Sequence, residues 1–329
     1  MLKKMISIML CIMMAAGMIG CAAEPAAPAA PAAPAAPAAP AAESEPATEP
    51  AEEASGFDYD AAGPVLKQIY DSGKLVAAVS GNNPPKVFTV IGEDGSIQDE
   101  GFETNMMRGL CSELSTIMGK EITLELLVVD GAASNLAALQ GGKAQVGVSL
   151  APTAERLESW DFTNTYFKSL KVFVHLRETE GDPMWDFENQ LTGVTVGGIL
   201  GSSDADACML QYPGCEMELY NGYGDLLLAG LNGKVDCFLT TEPNALLYCS
   251  ANPELMIEEA FTFESSDEID KGACLAFAYE NEDFKAIANE YIARIRSDGT
   301  LNGYYNDALE LMNVAEMYEK YQKANLLNN

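Results

Sequence analysis

Positive charge is what this sequence has least of. Its 329 residues include 19 Lys and Arg against 49 Asp and Glu, a formal net charge of −30. That balance excludes nucleic acid as a partner, because phosphate binding needs clustered Lys and Arg to displace counterions. Such acidity suits a soluble, monomeric surface protein. Histidine occurs once, as His175 in a strand-like run, where it reads as structural. No Cys-x-x-Cys pair or Cys/His cluster is present, so no metal or other cofactor is expected. Long apolar runs are missing too. The one candidate, Met5–Met18, is shorter than the ~20 residues that a membrane-crossing helix needs.

What is there begins with Lys3 and Lys4 ahead of that run and Met18-Ile19-Gly20-Cys21 at its end. This is the pattern of a secretory leader closing in a lipobox-like site. Residues 1–21 are therefore expected to form a lipoprotein signal, with lipid on Cys21 anchoring the chain at the extracytoplasmic face of the cell membrane. Losing residues 1–21 removes two lysines and no acids, so 17 cations against 49 acids leave −32. Residues 22–56 form an Ala/Pro/Glu-rich linker with Pro-Ala-Ala repeated from Pro28 to Pro40. Such a repeat favours extended polyproline II at ~3.1 Å per residue and makes a semi-rigid spacer. Of eight cysteines, Cys11 and Cys21 belong to the leader. Most of the other six sit in apolar runs and read as buried thiols, with Cys208 and Cys215 left open as a pair.

The remainder is long enough for two compact lobes, since single cores stop growing at ~250 to 300 residues. Helix over Asp60–Ser72 and strand over Lys74–Val79 come first. A Phe88–Ile91 hairpin with an Asp94-Gly95 turn follows, then an amphipathic helix from Phe102 to Gly119 whose methionines read as core. Strand over Ile122–Val129, helix over Ser134–Gln140 and strand over Gln145–Leu150 give parallel βαβ units. Leu170–Leu176 is a further strand, and the charged stretch Arg177–Asp186 is expected to cross to a second lobe. There the pattern restarts with strand Val194–Ile199, a helix from Asp204, strand Met217–Tyr220, helix Tyr223–Leu231 and strand Lys234–Leu239. Gly272–Ala278 returns the chain, Asp283–Arg296 is helical, and Met312–Leu327 is a terminal helix. The expected lobes are 57–176, 177–274 and the returning 275–329.

At the carboxyl end of the Gln145–Leu150 strand, Thr153 can cap a short helix whose first turn holds Arg156. In an open α/β sheet that edge is where ligands sit, and a guanidinium there matches a carboxylate. Alone, such spacing more often marks a solvated helix residue. Ser149, Ala151, Thr153, Arg156 and the run Phe162-Thr163-Asn164-Thr165-Tyr166 resemble the Ser-x-Ser/Thr-x-Thr-x-x-Arg … Phe-Ser-x-Pro-Tyr signature of family 3 extracellular solute-binding proteins. The Gly101-Phe102-Glu103 helix start and the Asn289–Thr300 run also resemble that family, and the likeness covers about residues 60–310. It implies an α/β, two-lobed periplasmic-binding-protein type II fold. Each lobe would be a mixed, mostly parallel sheet flanked by helices, with two crossing strands joining them.

The resemblance also implies a site. Arg156 would grip the α-carboxylate of an amino acid, Ser149 would add a polar group, and Ser203 after Ser202 would help from the second lobe. Ala151 lacks the hydroxyl usual at its place. Asn83 and Phe88 lie where the family stacks an aromatic on the ligand. Thr241 stands where the family's amine-binding aspartate falls, with Glu242 beside it. Either Glu242 is brought in or the ligand lacks an α-ammonium group. The implied function is the binding lipoprotein of an ABC importer, with the permease and ATPase as partners. Alternatives are a cyclohexadienyl-dehydratase-like enzyme, for which Glu242 would be the acid, and a ligand-sensing receptor for a membrane kinase.

Overall fold

The computed structural model describes residues 57–92, 94–177, 186, 188–258 and 272–313. The leader, Cys21, the linker, Glu93, most of the charged stretch and nearly all of the expected Met312–Leu327 helix lie outside these.

Helix α1 (Pro64–Ser72) starts later than Asp60 because Pro64 occupies its first turn, and Gly73 closes it in the left-handed conformation. Strand β1 (Lys74–Ser80) leads to the hairpin β2 (Phe88–Ile91) and β3 (Ile97–Glu100), then to α2 (Phe102–Met118). Next come β4 (Thr123–Val129), α3 (Gly131–Gln140) and β5 (Val146–Leu150). A single 3-10 turn (Arg156–Glu158) and the short β6 (Asp161–Phe162) follow. Met106, Met107, Leu110, Leu114 and Met118 are buried on one face of α2, so the methionine stripe is core.

The second set is β7 (Lys171–Leu176), β8 (Thr195–Ile199), α4 (Ser203–Gln211), β9 (Glu216–Tyr220), α5 (Tyr223–Leu231), β10 (Cys237–Thr241), α6 (Glu242–Ala251) and β11 (Leu255–Ile257). The chain ends its described part with β12 (Cys274–Phe277), α7 (Glu282–Ser297) and α8 (Thr300–Leu311).

Two five-stranded sheets result, in the orders β4-β1-β5-β12-β6 and β11-β7-β10-β8-β9. In the first, β1 pairs parallel with β4 and β5, and β12 runs against β5 and β6. In the second, β8 pairs parallel with β9 and β10, and β7 runs against β10 and β11. Each sheet thus has four strands one way and one the other. This is the two-lobed α/β architecture expected.

The boundary expected at Leu176 falls earlier. Strand β7 is an inner strand of the second sheet, so the chain changes lobe between Phe162 and Lys171. An apolar strand carries no mark of which sheet will take it, and the charge after Leu176 misplaced the crossing. The two crossing segments pair at one bridge, where Ala273 N–H donates to Phe167 O at 2.8 Å and Tyr166 N–H to Ala273 O at 3.0 Å. Phe167 is fixed there between Phe102 and Tyr305, with ring centroids 4.8 and 5.2 Å away.

Candidate functional site

From β1 the chain runs out through α2 to β4, and from β4 back through α3 to β5 on the other side of β1. That reversal leaves a crevice at the carboxyl ends of β1 and β5. In the second lobe β8, β9 and β10 repeat it. The segments leaving these ends enclose a cavity of about 60 Å³.

Arg156 forms one wall. Its backbone N–H donates to Thr153 Oγ1 at 3.3 Å, the cap expected from the sequence, although the helix is only one 3-10 turn. The side chain is 8% exposed. Nη1 donates to Ala151 O at 2.8 Å in the first lobe, and Nη2 donates to Gly201 O in the second. Two of five N–H donors are thereby held by carbonyls and three remain for a ligand. Burial pushes the guanidinium below its usual value, with Asp206 and Asp204 opposing, and a group of this intrinsic basicity stays charged.

Ser149 closes β5 in the left-handed conformation, φ +66°, a strained place for a residue with a Cβ. That turn gives its N–H to the Tyr166 hydroxyl at 3.0 Å and lets its own hydroxyl accept from Lys86 Nζ at 2.8 Å. Tyr166 in turn donates to the buried carboxyl of Glu103 at 2.7 Å. Burial raises the Glu103 pKa from 4.5, while Lys86 and the Tyr166 hydrogen bond lower it.

Lys86 is placed by backbone alone. Its N–H donates to Asn83 O at 2.9 Å, and the first amides of α2 hold the loop, Phe102 N–H to Pro85 O at 3.0 Å and Glu103 N–H to Lys86 O at 3.2 Å. Gly101 makes that approach possible at φ +132°, because a Cβ there would stand 2.1 Å from Lys86 O.

In the second lobe the Ser202 hydroxyl caps α4, accepting from Ala205 N–H at 3.1 Å. Ser203 and Asp204 open that helix at the cavity wall, where first-turn amides favour an anion. Asp204 is 3.5 Å from Lys171 Nζ, which also donates to Ser169 O at 2.9 Å.

Ser149, Ala151, Arg156, Ser202, Ser203 and Asn83 thus all line the cavity. Asn83 also bridges the lobes, accepting from Asn244 Nδ2 at 2.9 Å. Thr241 instead borders a smaller space of about 10 Å³, which shares Ser202, Asp204 and Tyr223 with the first. Glu242 is buried at the start of α6 with its N–H on Leu170 O, and neither space has it in its wall. Phe88 packs in the first lobe's core and against Leu309 and Met312, away from the cavity. Sequence reasoning missed Lys86, Lys168, Lys171 and Asp204, all in the wall. A usable signal was present: in so acidic a chain, a lysine just after a strand's carboxyl end is uncommon. Among the described residues no cluster of metal-ligating side chains occurs.

The L-cystine-binding protein TcyJ of Escherichia coli K12 is 27% identical over 244 residues, covering 72% of this chain and 83% of that protein. A probable histidine-binding protein of Campylobacter jejuni is 25% identical over 203 residues, 60% and 72% of the two. Among solved structures, an amino acid ABC transporter substrate-binding protein of Streptococcus pneumoniae bound to L-arginine superposes with TM-score 0.66. It is 23% identical and covers 75% of this chain and 98% of its own. An ancestral amino-acid-binding protein described as a precursor of cyclohexadienyl dehydratase superposes with TM-score 0.58 at 19% identity, covering 74% and 97%. These two likenesses are of fold. The family model of bacterial extracellular solute-binding proteins, family 3, matches residues 75–309, so a two-lobed chain with its cavity between the lobes belongs to that family.

Proposed function

We propose that this chain is the binding component of an ABC importer and closes its lobes on a small amino acid. The observation that carries this reading is Arg156, buried in the cavity wall and bonded to a backbone carbonyl of each lobe. A ligand carboxylate on its remaining donors, facing the first amides of α4, would touch both lobes at once. Contacts that exist together only in the shut form are what drive closure. The proteins named above as binding cystine, histidine or arginine support the ligand class.

Delivery to a permease and ATPase follows from the family, and lipid on Cys21 from the sequence pattern around it. Among the described residues no helix is long and apolar enough to cross a membrane. Cys21→Ser should move the protein from the membrane fraction to the medium. Persistence in the membrane fraction would overturn the anchor.

An elimination enzyme would need a general acid in the cavity. Among the described residues the carboxylate in its wall is Asp204, which is ion-paired, and Glu242 lies outside. The relatives and the solved neighbour named above as binding proteins favour binding.

Arg156→Ala should lower affinity for the bound amino acid roughly 10- to 100-fold, the scale of losing charge-assisted hydrogen bonds. Arg156→Lys, which keeps the charge without the fork, should fall between. Titration calorimetry on folded protein, checked by circular dichroism, measures both. Unchanged affinity in Arg156→Ala would end the carboxylate-clamp reading.

A further inference from the structure

The cavity wall reverses the composition of the chain. Eighteen described residues form it, and a set that size drawn at random from this sequence would hold about one cation and about three carboxylates. It holds four cations, Lys86, Arg156, Lys168 and Lys171, and one carboxylate, Asp204. The four come from separate places: the loop after β1, the turn after β5, and the crossing segment ahead of and into β7.

Gathering positive charge about one cavity is costly unless an anion joins it, most of all for Arg156, Lys86 and Lys171, which are buried or half-buried where Lys168 is exposed. The one carboxylate in the wall is already within 3.5 Å of Lys171, whose side chain is 8% exposed. Lys168 and Lys171 have further partners, so the case rests most on Lys86. Its ammonium meets the neutral Ser149 hydroxyl inside the cavity, and the buried Glu103 carboxyl, held by Tyr166 behind the wall, is near enough to attract it. An α-carboxylate on Arg156 still leaves three lysines in the wall against Asp204 and, behind the wall, Glu103. The α-ammonium of an amino acid has Asp204 in reach of the same wall, in a chain whose Thr241 provides no charge.

We propose, resting on the amino-acid-binding reading above, that the ligand carries a second acidic group. It is a small dicarboxylic amino acid of the aspartate or glutamate class, with one acid on Arg156 and the other toward Lys86. The site is thereby set apart from one shaped for a basic or uncharged side chain.

Titration calorimetry of the full chain with L-aspartate, L-glutamate, L-asparagine, L-glutamine and succinate tests this. The acids should bind at least tenfold tighter than their amides, and that preference should weaken as salt is raised from 20 to 200 mM, within the range where the Debye length shrinks below ~10 Å. Lys86→Met should cut the acid-to-amide preference at least tenfold, and Lys86→Arg should restore most of it. If Lys86→Met does not fold, Lys86→Gln is read the same way. Amides bound as tightly as acids, or a preference untouched by Lys86→Met, would overturn the second acid and leave the amino-acid reading standing. Succinate bound tighter than either amino acid would do the opposite. Silence from all five probes would overturn the second acid, and added silence from L-arginine, L-histidine and L-cystine would overturn both.

Discussion

The two lobes are built to one plan and equipped differently. Their sheets run β4-β1-β5-β12-β6 and β9-β8-β10-β7-β11, with the fourth strand of each reversed. The first lobe separates β1 from α2 by a seven-residue loop and a hairpin, while the second passes from β8 to α4 through Leu200, Gly201 and Ser202. The long connection delivers Lys86, and the short one delivers a helix start. So the first half gives the cavity Lys86 and Arg156, and the second gives it amides and hydroxyls beside the paired Lys171 and Asp204. The lesson is that the sheet fixes where a site lies, and the loop after the strand fixes its chemistry. Even the contact between halves follows the shared plan. The turns after the equivalent strands β4 and β9 face one another, a Cβ on Gly131 lying 2.4 Å from Asn221 O and one on Gly222 lying 3.5 Å from Asp130 Oδ1.

The largest expected effect breaks this comparison at the loops. Gly101→Ala forces a Cβ into the Lys86 carbonyl at a φ that side chains rarely adopt, and should cost about 3 kcal/mol or more. Gly201→Ala, at φ +69° and 3.2 Å from Ala133, should cost only about 1 kcal/mol. Urea unfolding compares them, and equal losses would mean that the hairpin loop is no more constrained than the short turn. Gly131→Ala comes next and acts between the lobes. With Asn221 O in its path, the shut form should be disfavoured and ligand affinity should fall roughly tenfold, which corresponds to ~1.4 kcal/mol. Small-angle scattering with saturating ligand would show it staying more extended than wild type. Wild-type compaction and affinity would mean that those turns do not limit closure.

Most of the fold was legible because alternating apolar runs and glycine stops mark βαβ units wherever they occur. Arg156, Ser149 and Ser203 could be picked out by resemblance, since Ser149 and Arg156 flank the end of β5 and Ser203 follows β8. The lobe boundary was not. Leu176 and the acidic stretch after it look like a domain edge, but pairing with β10 is a property of two distant segments, and no local pattern records it. Glu242 was weighed as a ligand group for its place beside Thr241, yet β10 ends there and α6 carries the side chain into the interior. Lys86 escaped notice for the opposite reason: the hydrogen bonds that place it come from α2, across a hairpin whose length hides the connection.

The smallest effect concerns what only the first lobe's loop sets behind the wall. Glu103 is buried, its pKa raised chiefly by that burial, with Lys86, Tyr166 and Ser149 on its cavity side lowering it. A carboxyl raised in the folded state favours folding in its protonated form. That contribution is complete below the ordinary value of 4.5 and is lost as pH rises through the raised one. Glu103→Gln keeps an oxygen for the Tyr166 hydroxyl and removes the charge. The variant should therefore match wild type below pH 4.5 and exceed it increasingly toward neutrality. The expected gap is on the order of 1 kcal/mol, or about 2–4 °C in melting temperature. Melting curves from pH 4 to 8 measure the gap. A gap of the other sign at neutral pH would mean that the attraction to Lys86 outweighs burial. Lys86 would then be answered from within the first lobe, and the asymmetry between the two halves would no longer point at the ligand.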